Sequence, residues 1–328
     1  MTDPGPADAA DTCHRLVLDH VLGLIAGAEC GDQLVLRGSM LMTAYAGSAA
    51  RKPADLDFVV VQDGWPVDDL DPYPYVDDLA TVQQWPEVAA GAGRAKLWAD
   101  AEFDTGGRNP RIPPDGLNWV AAQDWERSPP YGDLADLVRD RKDVGSGIEL
   151  DPDGFDEHGD WLYSGMGSGY SSPGVRVVIP WRKSLGKRKS VRGTVSLDFS
   201  LAEPMPQRPV WTRIPRLDGD PSVVRAASAE LSLAWKLLWL LRDTKDFGYA
   251  KAKDLYDAVV LAELPGMVLD GKLLRRALAK SEGLRVRDFT VRDLADVAVD
   301  WDAFDAEHAV GGTVEEWLRR LEHALTIA

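Results

Sequence analysis

Residues 34–61 read LVLRGSMLMTAYAGSAARKPADLDFVVV and join a Gly-Ser turn to a strand that carries two aspartates. Side chains alternate across a strand, so Asp55 and Asp57 are expected to share one face while Leu56 points to the other. The apolar run at 58–61 is typical of a strand buried on both faces. Two neighbouring carboxylates repel each other unless a cation lies between them, and hard divalent ions prefer such oxygen ligands. We therefore predict a metal site here.

The residues before this strand predict a phosphate-binding turn. Residues 34–37 are expected to form a short strand, Gly38 and Ser39 a turn, and residues 40–45 the opening of a helix. A glycine lets a phosphate approach the backbone, and the first N–H groups of a helix have no partner within it. The Ser39 hydroxyl is expected to cap this helix or to contact a phosphate. Either motif alone is more often a plain turn or a solvated loop, but their order along the chain favours a functional site.

A third carboxylate is expected on a neighbouring strand, because two metal ions need more ligands than one aspartate pair supplies. The segment TVSLDFS at 194–200 alternates in polarity and would place Asp198 on the same face as Ser196 and Ser200. Asp198 is therefore the candidate third ligand. The alternative is an ordinary solvent-facing aspartate on an amphipathic strand.

A second predicted strand, VRVVIPW at 175–181, precedes a segment rich in lysine and arginine. If the two strands form a hairpin about a loop near Lys187, Arg176 lies opposite Asp198 and could hold a triphosphate. Lys183 is the rival for this role. The basic tip at 187–189 could contact a nucleic-acid backbone, or it could be a solvated edge that discourages pairing between sheets.

Length, composition and charge restrict the class of protein. The chain has 328 residues, 45% hydrophobic content and 12 tryptophans, which indicates a packed globular protein large enough for two domains. Its net charge of -16 argues against broad, nonspecific nucleic-acid binding, since phosphate contacts supply much of that affinity. The acids are concentrated between residues 63 and 160, whereas none occurs between Gly174 and Leu197. A local basic surface for one defined RNA remains compatible with this charge.

The two cysteines, Cys13 and Cys30, show neither metal-ligand spacing nor a disulfide framework. The apolar stretch at 21–28 is too short to span a membrane, and no signal peptide is apparent. We therefore expect a cytoplasmic protein with no membrane partner.

The composition also predicts the domain organisation. Proline and arginine become frequent at 201–221, and we predict a linker over 206–221 between a first domain, 1–205, and a helical domain, 222–328. The first domain would contain an acid-rich insertion at about 63–173. Helical patterns cover the following segments of the last third: 224–242, 250–264, 271–280, 291–299 and 313–325.

One lysine in this helical part is unusual. Lys236 lies in the nearly apolar run LSLAWKLLWLL at 231–241 and should reach an anion, either a phosphate or an acid, or extend past the core to solvent. In the next helix, Lys253 and Asp257 lie one turn apart and are expected to form a surface ion pair.

The N-terminal motifs resemble a known superfamily. The Gly-Ser pair at 38–39 followed by Asp-Leu-Asp at 55–57 is similar to the signature of DNA polymerase beta-like nucleotidyltransferases. The long spacer that holds Tyr45 and Arg51 resembles, more narrowly, the AbiEii/AbiGii family of bacterial toxin and phage-defence nucleotidyltransferases. Pro53 departs from this family, which often has a serine or threonine two residues before the first aspartate. Any role of that serine or threonine hydroxyl in nucleotide binding or regulation is therefore not expected in this chain.

The C-terminal part extends the resemblance. The Lys236 helix that ends at Arg242, followed by KDLYD at 253–257, resembles the two C-terminal motifs of that family, which are associated with the active cleft. Ala250 departs from an arginine often found there, and Lys251 could substitute for it.

The resemblance implies an α/β (α+β) nucleotidyltransferase fold, a mixed β-sheet with flanking helices, joined to a C-terminal helical domain. It implies transfer of a nucleoside monophosphate from an NTP to an acceptor hydroxyl with Mg2+ or Mn2+, most often on a tRNA 3′ end, by a toxin restrained by a separate antitoxin. The expected metal and catalytic residues are Asp55, Asp57 and Asp198. The expected nucleotide-binding residues are Gly38, Ser39, Arg51, Arg176, Lys183, Lys236 and Asp254.

Three alternatives remain open at this stage. A small-molecule nucleotidyltransferase of the aminoglycoside-modifying kind would use the same metal site, and the acidic chain would suit a cationic substrate. An enzyme that transfers AMP to a protein hydroxyl would also use it. A non-catalytic binding module is the third alternative, motivated by Pro53 and Ala250 at motif positions.

Overall fold

The chain forms two compact units in the computed structural model, Met1–Val61 with Pro130–Ala328, and Gln62–Pro129. The structure describes residues 6–61, 75–77, 117–119, 134–159, 174–185, 190–200, 203, 205–278, 294 and 297–327. The second unit is described only for an antiparallel pair, β3 (Tyr75–Asp77) and β4 (Leu117–Trp119). Most of the predicted acid-rich insertion and the basic tip at 187–189 thus lie outside the described residues.

A mixed sheet is the centre of the first unit. Its described strands are β1 (Leu34–Arg37), β2 (Leu56–Val60), β5 (Asp143–Gly145), β6 (Ile148–Leu150), β7 (Asp156–Gly159), β8 (Gly174–Ser184), β9 (Ser190–Ser200), β10 (Val210–Ile214) and β11 (Ser222–Ala226). They are ordered β10-β11-β1-β2-β9-β8-β6-β5, and β7 also pairs with β8. The β1–β11 and β2–β9 pairs are parallel and the others antiparallel. The predicted mixed sheet is confirmed.

The strands predicted from local patterns form the middle of this sheet. β1 has the predicted bounds and is buried along its whole length. β8 and β9 form the predicted hairpin, with Arg176 opposite Asp198. Phe58 of β2 stacks on Phe199 of β9 with ring centroids 5.5 Å apart, so apolar packing holds together the two strands that carry the aspartates.

The segment predicted as a linker, 206–221, contains a strand that the sequence did not predict, β10. Its five residues pair antiparallel with β11 at one end of the sheet. Pro209 and Pro215 flank the strand without interrupting it, and prolines are tolerated where a strand ends. The division into domains 1–205 and 222–328 stays a prediction, and both ranges contribute to the first compact unit.

Helices flank the sheet and dominate the last third, as expected. They are α1 (Pro6–Ala26), α2 (Gly38–Ala46), α3 (Leu134–Asp140), α4 (Ala229–Phe247), α5 (Ala252–Ala262), α6 (Gly271–Leu278), α7 (Trp301–His308) and α8 (Val314–Ala324). Ser228 caps the start of α4 by accepting a hydrogen bond from the Leu231 N–H, and Gly248 ends it in the left-handed conformation. Thr313 and Glu316 form a capping box at the start of α8.

The helix predicted over 291–299 differs from the structure. Residues 291–293 and 295–296 lie outside the described part, and Val299 forms a β-bridge with Ala250 instead of a helical turn. The sequence prediction also missed α7, which follows directly.

No helix in the described part of the chain is both long and apolar enough to cross a bilayer.

Candidate active site

Three aspartates converge where β2 and β9 lie side by side. Asp55 directly precedes β2, Asp57 is its second residue, and parallel pairing places Asp57 beside Asp198 of β9. One carboxylate oxygen from each residue lies within 4.8 Å of the other two. Asp198 is buried, and the two others are partly buried. The structure therefore brings together the three residues that the sequence indicated as metal ligands.

The proximity of the carboxylates changes their acid–base behaviour. The pKa of Asp57 is raised to about 7, chiefly by burial and also by the Asp55 and Asp198 charges, while Arg37 opposes the shift. Three acids that repel each other in a partly buried site form an oxygen donor set that suits a hard divalent cation, since the cation would offset the repulsion. The residues present therefore fit a Mg2+ or Mn2+ ion.

Gly38 is required by the site for a steric reason. Its φ of +74° lies in the left-handed region, and a Cβ added there would lie 1.9 Å from Oδ2 of Asp57. Any other residue at this position would displace the Asp57 carboxylate. The glycine that sequence reasoning assigned to phosphate approach thus also makes room for the predicted metal ligand.

Ser39 contacts the aspartates directly. Its buried hydroxyl donates to Oδ1 of Asp55 over 3.3 Å and accepts from the Ala54 N–H over 3.4 Å. The alternative that Ser39 caps α2 is wrong, because Arg37 is the N-cap residue and makes no side-chain cap bond. The hydroxyl instead links the start of α2 to the loop that carries Asp55.

Arg176 is the cation that the hairpin brings to the aspartates. Its Nε and Nη2 atoms donate to the two oxygens of Asp198 over 2.5 and 2.6 Å, a bidentate pair. Lys183 faces Val191 seven positions further along β8, roughly 23 Å away at the usual rise of a strand. Lys183 is therefore not brought to this site.

Arg37 is a site residue that sequence reasoning missed. It is buried, lies opposite Asp57 in the β1–β2 pair and forms an ion pair with the buried Glu203. Its guanidinium carbon lies 5.7 Å and 5.4 Å from ring centroids of Trp235 and Trp239 on α4. An arginine at the end of an otherwise apolar buried strand was the available signal.

A second buried cluster joins the loop before β2 to α4 and α5. The Lys236 ammonium donates to Asp254 over 2.7 Å and pairs with Asp257 at 2.8 Å, while Nε of Arg51 lies 3.2 Å from Asp257. Burial alone would lower the pKa of Lys236, but the charges of Asp254 and Asp257 more than offset it and the pKa is raised. Lys236 thus reaches acids, one of the two outcomes expected for it.

The surface ion pair predicted between Lys253 and Asp257 is wrong. Asp257 is fully buried because α5 turns this face toward α4, whereas Lys253 is exposed. Burial tends to raise the pKa of Asp254, but Lys236 and Lys253 lower it below its usual value. The cluster lies close to the aspartate triad, since Arg51 and Asp55 interact electrostatically. Three predicted nucleotide-binding residues, Arg51, Lys236 and Asp254, are thus brought together beside the triad.

Comparison with solved structures gives a relative of similar fold. MenT4, a nucleotidyltransferase toxin from Mycobacterium tuberculosis H37Rv, superposes with a TM-score of 0.50 over 98% of this chain and 84% of its own, at 16% sequence identity. At this identity the likeness concerns the fold alone. No curated protein matches the chain.

Comparison with family sequence profiles is more decisive. The profile described as nucleotidyl transferase AbiEii toxin, type IV toxin–antitoxin system, matches residues 134–322. This range includes Arg176, Asp198, Lys236 and Asp254 and begins after the Asp55–Asp57 strand. Because the match spans more than half of the sequence, the chain belongs to the AbiEii family of nucleotidyltransferase toxins.

Proposed function

We propose that this toxin is a metal-dependent enzyme that transfers a nucleoside monophosphate from an NTP to the 3′ end of a tRNA. The observation that carries the metal requirement is the convergence of Asp55, Asp57 and Asp198 within 4.8 Å. The RNA acceptor rests on the family resemblance and on the cations along the β8–β9 hairpin that carries Asp198.

The triad would hold Mg2+ or Mn2+. When bound, such ions neutralise developing charge on the phosphates and lower the pKa of a coordinated hydroxyl. Asp55 and Asp57 would be the shared ligands and Asp198 the third. Ser39 orients Asp55 through its hydroxyl, and Arg176 orients Asp198 through its bidentate contact.

The triphosphate would lie at the start of α2. Gly38 and Ser39 begin this helix, whose first N–H groups are free of intrahelical partners and favour anions. Arg176, partly exposed beside the triad, would neutralise phosphate charge. Arg51, Lys236 and Asp254 would border the nucleotide from the helical side.

The chemistry is an in-line displacement. The acceptor hydroxyl oxygen forms a bond to the α-phosphorus while the bond from that phosphorus to the bridging α,β-oxygen breaks. Pyrophosphate leaves with the electron pair of that bond. Asp198 takes part in accepting the proton of the hydroxyl.

A cognate antitoxin and a cytoplasmic location complete the proposal. The family description names a toxin–antitoxin system, and a separate antitoxin protein would restrain the enzyme. Cys13 and Cys30 are buried and neither forms a disulfide, which suits a reducing compartment where NTPs and Mg2+ are available.

The test is incubation with each α-labelled NTP, Mg2+ and total tRNA. Asp57→Asn keeps the side-chain size but removes a charge, and we expect it to lose label transfer by about 100-fold or more. Asp156→Asn, an exposed aspartate on β7, is the matched control and should retain transfer. Chelation by EDTA should abolish transfer, and added Mg2+ or Mn2+ should restore it.

Equal label transfer by wild type and Asp57→Asn would refute the metal-site assignment. Label on protein or on aminoglycosides, with none on tRNA, would refute the acceptor but leave the nucleotidyltransferase chemistry intact. The same assay thus separates the two parts of the proposal.

A further inference from the structure

A large cleft opens beside the triad. It has a volume of about 1160 Å³ and is lined by Ala54, the residue before Asp55, by Trp181 of β8, by Arg192 of β9 and by Phe304 of α7. This volume exceeds the range of roughly 300–1,000 Å³ that is usual for small-molecule sites. The cleft therefore has room for a polymer segment beside an NTP.

The charge of the cleft is opposite to that of the whole chain. Its lining has three acids, Asp11, Asp300 and Glu307, and five lysines and arginines, Arg51, Lys52, Arg192, Lys251 and Lys253. The chain as a whole carries a net charge of -16. A locally positive cleft in an acidic protein concentrates anionic ligands there and repels them elsewhere.

Three of these cations are available to a ligand. Arg192, Lys251 and Lys253 are all exposed, and within the described residues none of their side chains makes a hydrogen bond or an ion pair within 4.0 Å. Lys253 lies near enough to the triad to interact electrostatically with Asp57. The free cations thus extend from the triad along the cleft.

The cleft also presents an exposed aromatic ring. Tyr249 is 52% exposed, follows the left-handed Gly248 that ends α4, and lies two residues before Lys251. Aromatic rings beside cations are the usual platforms for unpaired nucleobases, and about half of Tyr249 is accessible to one. A base-paired duplex would not offer a free base face to this ring.

We propose that this cleft binds the single-stranded 3′ end of the acceptor RNA, with a nucleobase stacked on Tyr249 and the adjoining phosphates held by Arg192, Lys251 and Lys253. This inference rests on the proposed RNA acceptor and adds the surface that binds it. The single strand leads its terminal hydroxyl toward the triad, because Lys253 and Ala54 lie at the triad end of the cleft.

Binding without NTP tests the inference independently of activity. The probe is a fluorescein-labelled RNA hairpin with a short single-stranded 3′ end, measured by anisotropy. Tyr249→Ala should weaken binding by about tenfold or more, the usual loss when a stacked base loses its ring, whereas Tyr249→Phe should bind as wild type does. The logarithm of the binding constant falls linearly with the logarithm of the salt concentration. Lys251→Ala should reduce the steepness of this fall by about 0.7, because one phosphate contact is lost.

Phe247→Ala is the matched control. Phe247 is a similarly exposed aromatic, 48% exposed, at the end of the same helix, but it does not line the cleft. This variant should bind the hairpin as wild type does. Both alanine variants should unfold at the wild-type temperature, since both rings are exposed.

Kinetics separate acceptor binding from NTP binding. In the transfer assay Tyr249→Ala should raise KM for the RNA while leaving KM for the NTP within about twofold, because stacking contributes to acceptor binding alone. Equal loss of hairpin binding in Tyr249→Ala and Phe247→Ala, or no loss of binding in either variant, would overturn the inference. This holds even if the wild-type protein modifies RNA. A wild-type protein that neither binds nor modifies the hairpin, yet transfers label to a protein, would overturn the RNA acceptor itself.

Discussion

At the scale of single residues, Gly38 has two separate effects that can be measured apart. Its positive φ would strain any replacement, and its missing Cβ leaves space for Oδ2 of Asp57. Gly47 offers a comparison, because its φ of +54° is also positive while a Cβ there would meet nothing within 4 Å.

We predict that Gly38→Ala and Gly47→Ala each lose about 1 kcal/mol or more from backbone strain, and that only Gly38→Ala also displaces the Asp57 carboxylate. Only Gly38→Ala should lose label transfer, because it displaces a predicted metal ligand. Urea unfolding and the transfer assay measure the two effects. Wild-type transfer by Gly38→Ala would contradict the geometry given to Asp57.

At the scale of secondary-structure elements, much of the site was predictable because its signals are local. The Gly-Ser turn, the Asp55–Asp57 strand and the alternation around Asp198 each lie within one short segment, and the hairpin register placed Arg176 correctly. The sequence could not show which strands pair when they lie far apart along the chain. β10 was missed because its prolines suggested a linker while its partner strand was unknown.

The same limitation applies to the buried cluster between α4, α5 and the loop before β2. The sequence left open whether Lys236 reaches a phosphate, an acid or the solvent, since the outcome depends on how the helices pack. Asp257 was taken as a surface residue because one turn separates it from Lys253. In the structure its carboxylate compensates both Lys236 and Arg51, so the three elements depend on one side chain.

We therefore predict that Asp257→Asn destabilises the protein by about 3–5 kcal/mol, since it leaves the buried Lys236 and the partly buried Arg51 with too little negative charge. Glu263→Gln makes the same change in charge at the exposed pair with Arg320 and should cost under about 1 kcal/mol. Urea unfolding of both variants decides the matter. If the free energies of unfolding of the two variants fall by amounts within about 1 kcal/mol of each other, the buried cluster stabilises the protein no more than a surface ion pair does.

At the scale of the whole molecule, the sheet joins strands that lie far apart in the sequence. β1 pairs in parallel with β11, the Ala227 N–H donates to the Leu36 carbonyl over 3.0 Å, and the Tyr45 hydroxyl donates to the Ala227 carbonyl over 2.5 Å. Arg37 on β1 contacts the rings of two tryptophans of α4, Trp235 and Trp239. The first two strands therefore depend on residues that lie beyond position 205.

This dependence predicts that a fragment of residues 1–205 does not fold alone. Without β11 and α4, β1 becomes an uncovered edge and the buried charge of Arg37 loses its aromatic contacts, so apolar burial no longer offsets the chain entropy. The fragment should lack a cooperative urea transition, whereas co-expression with 206–328 should restore one. A cooperative transition in 1–205 alone would instead support two domains that fold independently, because it would show that β1 and β2 need nothing from the helical part.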